Sequence, residues 1–174
     1  MLVFAILLLS LSRLAELWIS RRNLVRLRAS GVSWRAASSE REYAVMACVH
    51  ALFLVAPLIE FALRGARGPR ALGTAALLVL LAAQLLRFWA IHTLGPRWNA
   101  RAVVAASLGA LHVGPYRFMR HPNYVAVLAE FAALPFVAGS FVSGGTLFLA
   151  NAFLLARRIK QEERLMADVP GWLR

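Results

Sequence analysis

Three apolar runs of nearly membrane-spanning length constrain this chain more than any other feature. They cover residues 1–19, 43–63 and 71–91, and the last two have 21 residues each. A helix needs about 20 apolar residues to cross the hydrocarbon core of a bilayer. With 60% hydrophobic and 16% charged residues, the chain is also too apolar for a soluble domain or a disordered segment. The runs therefore predict an integral membrane protein with three spanning helices.

A fourth apolar region, residues 124–156, predicts a helical hairpin. As one straight helix, its 33 residues would overshoot the bilayer. Pro135, Gly139 and Gly144-Gly145 interrupt it and favour two short helices, residues 125–138 and 141–156, joined by a turn. Both are short for a full crossing. We therefore expect an all-α membrane fold of about five helices in a single domain, with three spanning helices and a C-terminal hairpin.

The basic residues predict the orientation of the helices. The chain has 20 Lys and Arg against 8 Asp and Glu, a net charge of +12. Because the basic residues lie between apolar runs, lipid headgroups explain them better than nucleic acid does. Fifteen lie in residues 20–42, 92–123 and 157–174, on one predicted side, and only Arg64, Arg67 and Arg70 lie on the other. The positive-inside rule then predicts an outer N-terminus and a cytoplasmic C-terminus.

Charged residues inside apolar runs are costly in a membrane and are therefore candidates for function. Arg13 and Glu16 are three residues apart and can pair on one helical face. The competing interpretation is that these residues form structural ion pairs. For Glu130 the functional and the structural interpretations are evenly balanced. His50 and His92 are interpreted as interfacial or packing residues. The charged residues of this kind are Arg13, Glu16, Glu60, Arg87 and Glu130.

Common metal and nucleotide motifs are absent from the sequence. No two of its four histidines are spaced i, i+3 or i, i+4, as a helical metal site requires. The chain also lacks GxGxxG, Walker A and GxSxG. The sequence therefore predicts no metal site and no Rossmann or P-loop domain.

Residues 108–124 form the densest polar stretch of the chain. A Gly-Pro pair forces a turn, and a later proline stands at a favoured first position of the hairpin helix. Arg120 and His121 therefore lie at a helix N-terminus, where free N–H groups and the helix dipole favour an anion. Tyr116 and Tyr124 add aromatic surface for a base or ribose. The stretch indicates a ligand with an anionic group and a ring, or alternatively an interfacial belt of aromatic and arginine side chains.

The segment after the hairpin, residues 156–165, has Arg158 and Glu162 on one helical face at i, i+4. A solvated helix end with ion pairs is the simplest interpretation. However, the chain returns here to the membrane face where residues 108–124 begin, so the two segments can meet. Glu162 could then accept hydrogen bonds from a ribose or a cationic centre, while Arg158 holds an anion or enolate oxygen.

Three motifs in this order resemble the isoprenylcysteine carboxyl methyltransferase family of integral membrane methyltransferases. They are Gly-Pro-Tyr116, Arg120-His-Pro-Asn-Tyr124 and, about 34 residues later, Arg158-Ile-x-x-Glu162-Glu163-x-Leu165. Residues 87–98 and Arg22-Asn23 extend the resemblance upstream. They resemble a bacterial subgroup encoded beside type III polyketide synthases, which is similar to enzymes that O-methylate alkylpyrones and related long-chain phenolics or quinols.

The resemblance implies a bundle of about five helices that binds S-adenosylmethionine without a Rossmann domain and releases S-adenosylhomocysteine. Residues 1–91 would form the spans and residues 92–174 the cofactor loop, hairpin and C-terminal helix. Arg158 would face the acceptor oxygen, with Glu130 or His121 as candidate base for a simple phenol. By position, the cofactor-binding residues would be Leu108, Leu111, Tyr116, Arg120, His121, Pro122, Asn123, Tyr124, Glu162 and Glu163.

Two positions depart from the family pattern and bear on the acceptor. Ala126 stands where the family often has Gly, and Leu154-Leu155 replaces a common aromatic pair. The second change argues against a prenylated carboxylate, and the resemblance to the bacterial subgroup implies a long-chain alkylpyrone, phenolic or quinol. Alternatives within the class are a prenylcysteine-like carboxylate and a phospholipid amine. Outside the class, a membrane subunit or small transporter would use Arg13, Glu16, Glu60 and Arg87 to line a path.

The expected partners follow from this interpretation. They are a lipophilic small-molecule substrate and membrane lipid, with a functional link to a type III polyketide synthase and no nucleic acid.

Overall fold

The computed structural model describes residues 1–65, 69–167 and 169, and its described part contains five α-helices. Three of them are long and apolar enough to cross a membrane, which confirms the predicted all-α integral membrane fold. Arg67 and Arg174, which enter the charge count used for orientation, lie outside the described residues. The helices are α1 Leu2–Ala29, α2 Glu40–Arg64, α3 Arg70–Leu94, α4 Pro122–Ala138 and α5 Phe141–Met166.

Two helices continue well beyond the apolar runs that predicted them. The first run ends at residue 19, but α1 continues to Ala29 through an arginine-rich stretch, because arginine is a good helix former and no glycine intervenes before Gly31. Similarly, α5 extends ten residues past residue 156. Both extensions leave the apolar layer as helix, so they carry polar side chains on rigid elements.

A capping box sets the start of α2. The Ser39 hydroxyl accepts a hydrogen bond from the Glu42 N–H (3.2 Å), and the Glu42 carboxylate accepts one from the Ser39 N–H (3.0 Å). This reciprocal pair satisfies two otherwise free backbone donors. It therefore starts α2 at Glu40, three residues before the apolar run.

The hairpin turn lies at Gly139 and Ser140, and Pro135 is inside α4. Gly139 adopts a left-handed conformation with φ +67°, which glycine tolerates without strain. The Ser140 hydroxyl donates to the Pro57 carbonyl (2.9 Å), and Glu60 accepts from the backbone N–H of Ser143 (2.7 Å). Glu60 thus stabilises the N-terminus of α5.

Gly144, which the sequence associated with the hairpin break, lies within α5 and lets this helix contact Pro135 closely. A Cβ at this position would be 2.1 Å from the Pro135 Cγ, whereas one at Gly145 would meet no atom within 4 Å. We expect Gly144→Ala to destabilise the protein by about 1–3 kcal/mol through overpacking. Gly145→Ala is the matched control and should be neutral or stabilising. Thermal unfolding in detergent compares the two, and equal stabilities would contradict this packing.

The short helix α4 forms the centre of the bundle. Most of its residues are buried, and it packs against α3 on one side and α5 on the other. The outer helices instead expose large apolar side chains, including Leu14 (64% exposed), Leu85 (71%) and Leu149 (70%). An apolar exterior of this kind is suited to lipid rather than water.

Three polar segments meet at one end of the bundle, which we call the polar end: residues 20–42, 92–121 and 157–167. Strands β1 (Arg35–Ala36) and β2 (Val103–Val104) pair antiparallel and join the first segment to the second. Asn23 of α1 donates to the carbonyls of Gly95 (2.9 Å) and Trp98 (2.8 Å). These contacts hold the long α3–α4 connection over the helix ends.

Candidate active site

A cavity of about 630 Å³ opens at the polar end and extends between the helices. This volume is in the usual range for small-molecule and cofactor sites. Residues 97–121 cover it from the polar end, and all five helices contribute to its wall. Its outer part is therefore polar loop, and its inner part lies among apolar helices.

The α3–α4 connection delivers its polar residues through two turns. Gly114 (φ +57°) begins a short 3₁₀ turn, Gly114–Arg117, which contains Tyr116. Pro122 then opens α4, leaving Arg120 and His121 immediately before the first helical turn, as predicted. Tyr116 and His121 both line the cavity.

Glu162 of α5 meets the start of α4 in one cluster. The Tyr124 hydroxyl donates a hydrogen bond to Glu162. The His121 Nδ1 is 3.5 Å from a Glu162 oxygen, and the His121 ring stacks on Tyr124 with centroids 5.4 Å apart. This confirms that residues 108–124 and the C-terminal helix meet.

Arg158 connects this cluster to the α3–α4 connection. Its Nη2 donates to the Ala100 carbonyl, its Nε is 4.0 Å from Glu162, and its guanidinium lies 5.7 Å from the centroid of the Tyr124 ring. Ser20 of α1 in turn accepts from the Ala100 N–H (3.0 Å). Arg158 is buried, and these contacts hold its side chain in place.

Burial changes the acid–base behaviour of two cluster residues. It raises the pKa of Glu162 above its ordinary value of 4.5, although the charge of Arg158 and the Tyr124 hydrogen bond oppose the rise. Burial, together with the charge of Glu162, also raises the pKa of Tyr116. Tyr116 therefore stays protonated at neutral pH and is a hydrogen-bond donor rather than a base.

Most residues predicted for the site share the wall of this cavity. Pro122 and Glu163 do not line it, but Pro122 starts α4, and Glu163 lies 3.6 Å from His121 Nε2 and 4.0 Å from Arg120. The predicted residues that do line it are Leu108, Leu111, Tyr116, Arg120, His121, Asn123, Tyr124, Arg158 and Glu162.

Glu130 is positioned differently from Arg158, the other predicted catalytic residue. It is fully buried, does not line the cavity, pairs with Arg13 and accepts a hydrogen bond from Gln84 Nε2 (2.6 Å). Arg13 also pairs with Glu16 (2.9 Å). In this structure Glu130 thus belongs to an ion-pair network behind the cavity wall rather than to the cavity surface.

Arg87 of α3 completes this network. It binds Glu16 through both Nε and Nη2, the latter at 2.6 Å. Arg13, Glu16 and Arg87 line the inner part of the cavity, whereas Glu60 does not. We call the four residues Arg13, Glu16, Arg87 and Glu130 the charge network.

Sequence reasoning missed the contribution of α2 to the site. Its side chains at positions 43, 46, 47, 50, 51 and 54 form one wall. These positions recur at helical spacing, but they are mostly apolar, and such a face also predicts ordinary helix packing. His50, interpreted from sequence as an interfacial or packing residue, lies on this wall.

No group of three His, Cys, Asp or Glu side chains that could hold a metal ion occurs among the residues that the structure describes.

Comparisons with known proteins find one matching family and one relative that is similar over most of the chain. A sequence profile of the isoprenylcysteine carboxyl methyltransferase (ICMT) family matches residues 75–168. YpbQ of Bacillus subtilis (strain 168), an uncharacterised protein, is 30% identical over 163 residues, which are 92% of this chain and 94% of YpbQ. No solved structure matches the chain. The profile covers α3 from residue 75 onward and all of α4 and α5, and it therefore includes every predicted cofactor-binding residue.

Proposed function

Because the chain belongs to the isoprenylcysteine carboxyl methyltransferase family and is an integral membrane methyltransferase, we propose that it transfers a methyl group from S-adenosylmethionine to an oxygen of a lipophilic acceptor. A long-chain alkylpyrone, phenolic or quinol is the proposed acceptor. One observation carries the proposal: a single cavity joins the polar Tyr124–Glu162 cluster to a wall formed by apolar helices. A water-soluble cofactor and a lipid-soluble acceptor can therefore meet in it.

The polar side chains at the mouth fit the amino acid and ribose parts of the proposed cofactor. The Asn123 Oδ1 and the Arg158 Nε are buried without a hydrogen-bond partner among the described residues. They offer an acceptor to an ammonium or hydroxyl group and a donor to a carboxylate. Glu162 supplies a second acceptor, and Tyr116 contributes an aromatic surface. Buried polar atoms of this kind need partners, and these groups of the cofactor would provide them.

The inner part of the cavity fits an acyl or prenyl tail. Leu17 of α1, with Met46 and Leu54 of α2, lines it within the spans. A tail that moves here from lipid exchanges one apolar surrounding for another, so the transfer itself adds little free energy and the fit of the wall decides binding. The tail would enter from lipid, while the cofactor would enter from the polar end. The arginine distribution favours a cytoplasmic polar end, and the resemblance to a bacterial subgroup favours a bacterial inner membrane.

This chain would promote the reaction mainly by positioning. S-adenosylmethionine supplies an electrophilic methyl group on a sulfonium, so the acceptor oxygen must lie in line with the S–CH₃ bond. The cluster of His121, Tyr124 and Glu162 would orient the cofactor, and Arg158 would attract a developing oxyanion. If the acceptor is an alkylpyrone, an enzyme of the type III polyketide synthase class would supply it.

Two measurements test the proposal. Isothermal titration of detergent-purified protein with S-adenosylhomocysteine should show binding, and lipid extracts of cells that express the gene should contain a product one methylene heavier than its precursor. A catalytically impaired Glu162 variant should not form that product. Absence of S-adenosylhomocysteine binding at tens of micromolar ligand would overturn the proposal.

The raised pKa of Glu162 predicts a pH dependence of cofactor binding. The ionised carboxylate accepts hydrogen bonds from the ligand more strongly, and at both oxygens, than the protonated carboxyl does, so affinity should fall as pH falls through this raised pKa, which lies above 4.5. The folding stability of the unliganded protein changes with pH in the opposite direction, because the folded state holds the Glu162 proton more tightly than the unfolded state does. Its stability contribution from Glu162 is therefore lost as pH rises through the same window.

The measurement is S-adenosylhomocysteine affinity between about pH 5 and 7, where the α-amino group of the ligand stays protonated. Glu162→Gln should remove most of the slope. The same slope in both proteins would show that another group controls binding.

A further inference from the structure

The cavity opens sideways as well as at the polar end, in the cleft between α1 and α2. Of the α-helical residues that line it in the described part of the chain, only three are exposed: Leu17 of α1, and Ala47 and Ala51 of α2. The lining residues contributed by α3, α4 and α5 are all buried or half-buried. The cavity wall is therefore incomplete on the side where α1 faces α2.

The bonding of α1 and α2 explains why this side is open. The Ser12 hydroxyl of α1 donates a hydrogen bond to Gln84 of α3 (2.7 Å), whereas Glu42 of α2 accepts one from Gln161 of α5 (3.0 Å). Each helix is thus held by a different side of the bundle. Among the residues that the structure describes, no hydrogen bond or ion pair joins α1 directly to α2, and the two helices pack only sparsely against each other.

The opening faces the apolar layer of the bilayer. Trp18, which follows Leu17, is 61% exposed, and its ring centroid lies 5.4 Å from the Arg22 guanidinium. A tryptophan in this setting is typical of a membrane interface. Ala47 and Ala51 lie further from the polar end, 7 and 11 residues after the start of α2, which is roughly 10–16 Å inward at about 1.5 Å per residue. The opening therefore begins at the interface and continues into the hydrocarbon.

Small side chains form the α2 side of the opening. Ala47 and Ala51 are four residues apart and share one helical face, whereas the adjacent residue Leu52 exposes a large apolar side chain (47%). Pairs of small residues in membrane helices commonly let a second helix approach closely. In the described part of this chain no helix covers the two alanines, and they line the cavity instead. They leave room for a narrow, flexible chain.

A buried donor in the same cavity indicates that a ligand group reaches past the opening. Arg87 lines the cavity, and its side chain is only 7% exposed. Its Nε and Nη2 bind Glu16, but its Nη1 is buried and has no hydrogen-bond partner among the described residues. An unpartnered buried donor is costly. An oxygen of a bound head group would satisfy it.

The size of the cavity limits how much of an acceptor it can enclose. A cavity of about 630 Å³ accommodates one ligand of ordinary drug size, and S-adenosylmethionine is itself a ligand of that size. A small head group can fit beside the cofactor, but a long alkyl or prenyl tail cannot be enclosed as well. Most of the tail must therefore lie outside the cavity, and the opening between α1 and α2 leads it into lipid.

We propose that the cleft between α1 and α2 is a lateral portal for the acceptor, with Leu17, Ala47 and Ala51 as its rim. The head group passes between the two helices into the cavity, the first part of the tail stays in the cleft, and the rest stays in the bilayer. The proposal rests on the function proposed above and adds where the acceptor enters and which part of it is enclosed. The protein should therefore accept long tails of very different length.

Cysteine labelling in lipid nanodiscs tests the portal without turnover. Cys48, the single cysteine, does not line the cavity, so Cys48→Ser provides a background for single-cysteine variants. Ala51→Cys should react with a small water-soluble thiol reagent that enters from the polar end. Leu52→Cys is the matched control, because it is exposed outside the cavity, and it should react far more slowly. A long-chain para-alkylphenol should slow the reaction of Ala51→Cys, and para-cresol should slow it much less.

Three labelling outcomes would overturn the portal. The first is equal reactivity at positions 51 and 52, and the second is a reaction of Ala51→Cys that the long-chain phenol does not slow. The third is protection of Ala51→Cys without any phenol in a protein that measures as a dimer, which would assign this face to a second copy of the chain. S-adenosylhomocysteine binding by each variant reports that it has folded.

A bulky side chain on the rim tests the same path during turnover. Ala51→Trp should lower kcat/KM for a long-chain acceptor by roughly 10–200-fold, the usual range for a misfit in an apolar site. It should change kcat/KM for a short-chain acceptor much less, since a water-soluble acceptor can enter from the polar end. Leu52→Trp adds similar bulk at the same depth outside the cavity and should leave both values unchanged. Equal losses with the two acceptors would contradict the portal.

Titration with S-adenosylhomocysteine separates this proposal from the proposed function. Ala51→Trp should bind this ligand with wild-type affinity, because Ala51 lies inward of the cluster of His121, Tyr124 and Glu162. If wild-type protein does not bind it, the proposed function fails, and the labelling experiment still decides whether the portal exists. If binding and methyl transfer occur but Ala51→Trp does not select against long tails, the portal fails and the proposed function stands.

Discussion

Replacement of Glu162 by alanine is expected to weaken S-adenosylhomocysteine binding by roughly 10- to 150-fold. Glu162 lines the cavity and is the point where Tyr124 and His121 of α4 meet α5. A hydrogen bond to a charged group contributes about 1.5–3 kcal/mol, which corresponds to this range of affinity. The variant also leaves the Tyr124 hydroxyl without its acceptor, which adds to the loss.

Isothermal titration of the purified variants measures this effect. Glu162→Gln keeps the shape and one acceptor oxygen, so it should bind with intermediate affinity. Glu40→Gln is the matched control, since Glu40 is also at the polar end but is exposed, pairs with Arg101 and does not line the cavity. Wild-type affinity in Glu162→Ala would mean that the cofactor does not contact this cluster.

The second large effect concerns stability: Glu130→Ala should cost about 3–5 kcal/mol, the usual loss when one partner of a buried ion pair is removed. Glu130 is fully buried and pairs with Arg13. The alanine variant leaves the charge network with an excess positive charge and Gln84 Nε2 without its acceptor. Burial of that uncompensated charge is the main cause of the expected loss of stability.

A double variant separates charge imbalance from loss of packing. Arg13→Leu combined with Glu130→Leu removes one charge of each sign and keeps apolar volume, so it should unfold at a higher temperature than Glu130→Ala alone. Thermal unfolding in detergent, with S-adenosylhomocysteine affinity measured alongside, provides the comparison. If Glu130→Ala keeps wild-type stability and binding but loses methyl transfer, Glu130 acts in catalysis and the structural interpretation is wrong.

Local patterns in the sequence predicted much of this fold. Apolar runs of spanning length predicted α1, α2 and α3, and Gly139 predicted the hairpin turn, because span length and left-handed turns each depend on neighbouring residues. Helix ends were predicted less well, since the continuation of α1 to Ala29 depends on arginines that were not interpreted as helix formers. Pro135 was counted as part of the break, but the turn lies after it and Gly144 packs against it.

The candidate site divides in the same way. The motifs of residues 108–124 and 158–163 predicted the cluster of His121, Tyr124 and Glu162, because its polar residues are concentrated in two short segments. The inner part could not be predicted, since it depends on contacts between distant helices. Arg13 and Glu130 are 117 residues apart, and the α2 wall resembles any apolar packing face. Only the assembled bundle shows that His50 and Arg87 share one cavity.

The charge network also has a consequence for the order in which the chain can assemble during synthesis. When α1 enters the membrane it carries Arg13 and Glu16, which pair within the helix and are neutral together. The arrival of α3 adds Arg87 and leaves one excess positive charge in the apolar layer. Only α4, with Glu130, removes that excess. The last helices to emerge therefore complete the first ones, and the bundle becomes electrically balanced only after the hairpin has inserted.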